Sequence, residues 1–272
     1  MAADPDDIAD DATREALRLL NALRRETIGA ILSASEPLSG SLRGLLAEID
    51  TLIVTFQREF SGVMARHVEA AAQAGDDAVL SDLRAARLEV PLAYLGVSPT
   101  LVRMASAYVA DLVTGLSSDA RARISREVRL AALGGMSTTQ LIDNIGRNLT
   151  DPSVFGTIAT RAEMIARTEV SRLYSMAYAE QSTESAQRYP GMRQVWEHSQ
   201  SSPGFTAFQT RNSRPNHIRV WQETSANPIP VGALFDLGGG VMARYPHDPN
   251  LPAKEVVGCR CRIRLVAPDP EG

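Results

Sequence analysis

Cysteine is nearly absent from this chain: two residues in 272, Cys259 and Cys261, and they stand two positions apart. A disulfide-stapled scaffold is therefore excluded, and a Cys-x-Cys pair is poorly placed to close on itself because the bond has specific Cα separation and torsion requirements. No uncharged apolar run reaches the eighteen or so residues that a membrane span needs. The N-terminus carries Asp4, Asp6, Asp7, Asp10 and Asp11 where a secretory signal has a basic region and an apolar core, so these residues are expected to cap a first helix instead. Synthesis in a reducing cytosol follows as the expectation. Lysine is represented by Lys254 alone against 27 arginines, which fits a GC-rich genome and carries no mechanism. Aromatics make up 5% of the chain and do not interleave with basic residues, so the stripe expected of a nucleic-acid groove is missing.

What is present changes character along the chain. Up to about Gln187 the sequence is rich in Ala, Leu and Arg with few turn residues. From Tyr189 onward Pro, Gly, Ser and Asn crowd in and both tryptophans appear. Charge divides at the same place: residues 188 to 264 hold ten Lys/Arg against five Asp/Glu, and residues 1 to 187 hold 18 against 25. The fold class that follows is a mainly α N-terminal helical region, residues 1–150, then a small α+β C-terminal module, residues 151–272.

Apolar positions at helical spacing predict a helix from about Asp10 to Ser33, then a long one starting at Glu36-Pro37 with Leu38, Leu42, Leu45, Ile49, Leu52, Phe56, Phe60, Val63 and His67 on one stripe. That stripe needs a partner, either inside the chain or in another subunit. A separate helix is expected at Ala78 to Leu88. Ser98-Pro99 starts another, Ser118 opens one that Gly134-Gly135 ends, and Ser137-Thr138-Thr139-Gln140 is a capping box. The last helix, about Ser153 to Arg188, places Glu169 within an apolar stripe. A buried carboxylate requires a partner, and Arg211, Arg214 or His217 is expected to supply it and so dock the C-terminal module.

That module reads as strands at Arg193 to His198, Ile218 to Gln222 and Arg262 to Val266. Gly238-Gly239-Gly240 lacks the residues of a phosphate cradle and reads as a turn. Three of the four histidines, His198, His217 and His247, lie in this third of the chain. His217, His247, Cys259 and Cys261 can be assembled into a tetrahedral N/S site for structural zinc; packing of reduced thiols is the alternative. His247-Asp248 is either a metal-supporting pair or a simple turn. Arg260, Arg262 and Arg264 alternate along one strand and can form a basic ridge for DNA or an acidic partner, or a solvated face.

Four blocks, Ile165-Ala166-Arg167-Thr168-Glu169, Arg211 to His217, Pro246-His247-Asp248-Pro249 and Cys259-Arg260-Cys261, occur in an order that resembles the head-morphogenesis domain of tailed phages, the phage Mu F-like minor head proteins. The resemblance covers roughly Arg161 to Val266, with Gly258 where an asparagine is expected. It implies motif roles for Arg167, Thr168, Glu169, Arg211, Arg214 and Asp248. It also implies a non-enzymatic minor capsid protein acting in capsid assembly, in the virion head and portal region and, during assembly, in the host cytoplasm. Its partners would be the portal protein, other head proteins and packaged DNA, in an oligomeric assembly without a membrane. The competing reading is a nucleic-acid-processing or toxin-like enzyme with Glu169 as general base and His217 as general acid, which requires both in an open cleft.

Overall fold

A computed structural model describes residues 3–34, 38–89, 96–150, 157–198 and 214–267. Five helices, α1 (Pro5–Ser33), α2 (Leu38–Ala85), α3 (Pro99–Ala132), α4 (Thr138–Thr150) and α5 (Ile158–Arg188), precede a mixed region. The mixed region holds β1 (Arg193–Glu197), α6 (Pro215–Ala226), β2 (Ile229–Pro230), β3 (Phe235–Gly238), β4 (Val241–Ala243), α7 (Ala253–Val256) and β5 (Arg262–Val266). The expected fold class is met.

The helix signals act as their chemistry requires. The Asp6 N–H donates to the Asp4 carboxylate at 2.8 Å, which caps α1 five residues earlier than apolar spacing alone predicts. Ser98 Oγ accepts the Leu101 N–H at 3.4 Å. In the capping box the Ser137 N–H donates to Gln140 Oε1 at 2.8 Å and the Gln140 N–H donates to Ser137 Oγ at 3.2 Å. Two expected breaks are absent. α2 continues past Ala78 as one helix, and α3 runs unbroken past Ser118, where the neighbouring Ser117 hydroxyl donates back to the Val113 carbonyl at 2.9 Å. The segment Ile218 to Gln222, expected as a strand, is part of α6. Pro215 occupies its first turn, and His217, Val220 and Thr224 are buried at the three-and-four spacing of a helix.

The chain forms two compact units. One is drawn from Asp10–Arg66 and Ser106–Ala166, the other from Met1–Ala9, His67–Ala105 and Arg167–Gly272. The elements described in the first are all helices. Ile49, Ile53, Phe60, Leu116 and Ile124 are fully buried in it, and Glu127, also buried, accepts from Asn144 Nδ2 at 3.0 Å.

In the second unit the C-terminal stretch of α2 packs on α5 at Gly75. A Cβ there would lie 2.4 Å from the Tyr174 carbonyl oxygen. Two turns on, the Tyr178 hydroxyl donates to Asp82, and the Leu265 N–H reaches both the Tyr178 oxygen (2.8 Å) and Asp82 Oδ2 (3.2 Å), so one buried knot ties α2, α5 and β5. The sheet has the order β2-β1-β5, all antiparallel, with Trp196 opposite Ile263. Trp196 is fully buried and meets the rings of His217 (centroids 5.1 Å apart) and Phe235 (5.3 Å) edge-to-face. β3 and β4 form a hairpin turned at Gly238, Gly239 and Gly240, all at positive φ, as the turn reading requires.

A like-charge cluster also sits on this α2–α5 contact. Asp76 is buried, and burial with the neighbouring Asp77 and Glu184 carboxylates pushes its carboxyl up to about 6. A folded-state value above the unfolded one favours the protonated fold, so stability falls as pH rises from about 4 to about 6 and the penalty is complete above that window. Asp76→Asn is expected to raise stability at pH 7 by about 1–2 kcal/mol, after allowance for solvent screening, with the gain gone at pH 4. Urea denaturation of both proteins at the two pH values checks it; an equal gain at both would remove the electrostatic cause.

Candidate metal centre

Each cluster residue is set by a local device. His217 lies one turn into α6, where Pro215 fixes the helix start. The Arg214 guanidinium donates to the Lys254 carbonyl and the Val257 carbonyl, both at 2.6 Å, which holds the end of α7 against the beginning of α6. Gly258 follows at φ +71°. That left-handed conformation is one that glycine and asparagine both tolerate, so the glycine in place of the expected asparagine leaves the turn unchanged. The turn delivers Cys259, and the Cys261 N–H donates back to Cys259 Sγ at 3.4 Å.

Among the described residues, His217, Cys259 and Cys261 form a buried group whose ligand atoms all lie within 4.8 Å of one another. His217 Nδ1 is 3.6 Å from each sulfur. A tetrahedral centre with metal–sulfur bonds of about 2.3 Å and metal–nitrogen bonds of about 2.0 Å has nitrogen–sulfur edges of about 3.5 Å. The donor set therefore fits a metal such as zinc in type and in spacing. The Cys259 thiol is held well below the usual cysteine range: the hydrogen bond with Cys261 lowers it most, burial opposes, and His247 and His217 add to the lowering. Thiolate is the form that ligates.

The other ring nitrogen of His217, Nε2, is 3.0 Å from Glu255 Oε2, and Asn216 Nδ2 donates to the same oxygen at 3.1 Å. A carboxylate on the far nitrogen fixes the tautomer and turns Nδ1 toward a metal. Glu255 was invisible to motif reading because a single acid in a short Ala-Lys-Glu-Val helix has no pattern; its position four residues before Cys259 was the available signal.

Other expected site residues are distributed differently. Glu169 is buried at 3% exposure, and its partner is Arg172 on the same helix, with N–O distances of 2.6 and 2.9 Å, in place of the expected Arg214 or His217. The i,i+3 spacing supplies a nearer cation than any other element does. Burial pushes the Glu169 carboxyl up, while Arg172 and His247 draw it down. Arg167 and Thr168 precede it on α5, and the Thr168 hydroxyl is buried without a partner. Arg211 lies outside the described residues.

Asp248 anchors its own loop. Its carboxylate takes two bonds from the Arg244 guanidinium (2.9 Å each) and the backbone N–H groups of Arg244 (3.1 Å) and Asn250 (3.0 Å). The three arginines of the expected ridge each face a carboxylate of the same unit: Arg260 with Asp6 (3.8 Å), Arg262 with Asp4 and Asp6, and Arg264 with Glu197 (2.7 Å). No helix among the described residues is long and apolar enough to cross a membrane. No family model matches the chain, and no curated protein or solved structure matches it.

Proposed function

We propose that this chain is a minor head protein of a tailed bacteriophage, acting in head morphogenesis beside the portal protein, and that its C-terminal module is held by structural zinc. One observation carries the reading. Two blocks about forty residues apart in sequence meet in one buried place: His217 lies with Cys259 and Cys261, and Arg214 holds the turn that leads to the cysteines, as expected of parts of one module.

Burial separates this reading from the enzymatic one. Glu169 and His217 are 3% and 1% exposed, and each is engaged by a neighbour, Arg172 and Glu255. A general acid and base must reach a substrate. Assembly contacts fall to the long helices, since the ridge arginines Arg260, Arg262 and Arg264 are already matched by carboxylates. Packaged DNA remains a partner by resemblance alone.

Co-expression with the portal protein encoded in the same genome tests the proposal. A complex of defined stoichiometry on size exclusion, carrying about one zinc per chain, is the expected result. Failure to associate with the portal or any other head protein would overturn it.

A further inference from the structure

His247 is the expected ligand that lies outside the three-donor group. Its side chain is 0% exposed, and neither ring nitrogen has a hydrogen-bond partner. Two buried polar atoms without a protein partner call for a compensating ligand. Its backbone stands at φ +66°, a conformation a histidine adopts at a cost, and such strain persists where the surroundings impose it. Here the imposing element is the Asp248 carboxylate, bonded to both flanks of the loop, together with the Leu251 N–H on the Asp248 carbonyl at 2.9 Å. The imidazole lies outside the 4.8 Å group of the three donors and within electrostatic reach of Cys259 and Glu169.

We infer that His247 is the fourth ligand of the metal centre, completing a His2Cys2 site with His217, Cys259 and Cys261, and that the Glu169 carboxylate orients it as Glu255 orients His217. The inference rests on the metal-centre reading above and extends it. Two thiolates balance a divalent cation, so the completed centre is neutral and suited to a buried position. Four protein ligands leave no coordination position for water, which makes the site structural. Glu169, bonded to Arg172 on one side, keeps lone pairs for the second imidazole N–H. α5 is thereby tied to the centre. Glu169 becomes a positioning residue, and the motif block around it acquires a reason to occur with the histidine and cysteine blocks.

The test uses the full chain loaded with Co(II) and then competed with Zn(II). The intact protein is expected to bind one ion with an intense tetrahedral d–d spectrum and two thiolate charge-transfer bands. His247→Gly suits the left-handed backbone, so the fold is kept, and zinc affinity is expected to fall 100-fold or more with loss of the tetrahedral spectrum. Glu169→Gln is expected to weaken binding about 10-fold with the spectrum retained.

Wild-type affinity in His247→Gly, with the loss appearing instead in His198→Ala, would overturn the assignment and leave the metal centre standing. An unchanged affinity in Glu169→Gln would remove the orienting role. No binding of either ion by the intact protein would overturn the metal centre itself. X-ray absorption of the zinc-loaded wild type decides the ligand count without any variant: two sulfurs and two imidazoles are expected, and one imidazole with a water oxygen would refute the inference.

Discussion

Stripping metal from the purified chain is expected to unfold the C-terminal module while most helical signal survives. A structural zinc contributes on the order of 10 kcal/mol in small modules, so several kcal/mol are expected to be lost here even with other packing in place. Cys259→Ser with Cys261→Ser should reproduce the effect without a chelator. The reporter is built in: Trp196 is fully buried with its ring centroid 5.1 Å from that of His217, and Trp221 lies in α6. Chelation should shift tryptophan emission to the red and lower the melting temperature by 10 °C or more, with recovery on adding zinc. Unchanged emission after verified metal removal would show that the knot is held by packing alone.

Gly75→Ala is expected to be the most damaging small substitution in the helices. An added Cβ would sit 2.4 Å from the Tyr174 carbonyl oxygen and 3.2 Å from the Tyr178 N, backbone atoms that cannot rotate away. α2 and α5 would have to separate at this point, breaking the Tyr178–Asp82–Leu265 bonds with them. A loss of about 3 kcal/mol is expected. Gly62, in the same helix, is exposed with nothing within 4 Å of a Cβ, so Gly62→Ala should stabilise by about 0.5–1 kcal/mol. Opposite signs from one chemical change in one helix, measured by denaturant titration, separate close packing from helix propensity. Equal effects would dismiss the packing argument.

The same glycine shows where sequence reading stops. Periodicity and capping gave the N-terminal helices because these are local signals: Ser137 and Gln140 satisfy each other's N–H groups three residues apart. The helix expected to begin afresh at Ala78 is the continuation of α2, and Gly75 just before it serves a contact about a hundred residues away that no local signal announces. Val220 and Trp221 favour strand, and the helix around them was set by Pro215 and by burial against β1, which no local count detects. Residue types with restricted chemistry, the two cysteines and His217, were legible as a cluster. Their supports were not, because Glu255, Arg172 and Arg244 are ordinary charged residues until folding brings them to His217, Glu169 and Asp248.

The pairing of Asp4 with Arg262 joins residues 258 positions apart, within a unit that also needs His67–Ala105 and Arg167 onward. At ribosomal rates Arg262 is made on the order of tens of seconds after Asp4. Nascent Asp4 and Asp6 must therefore wait, charged and unpaired, while the stretch Asp10–Arg66 and Ser106–Ala166 is already long enough to collapse. Cys259 and Cys261 are made only just before Arg262, so a metal held by them would load after all five long helices have been synthesised, in the same interval in which Asp4 and Asp6 meet their arginines.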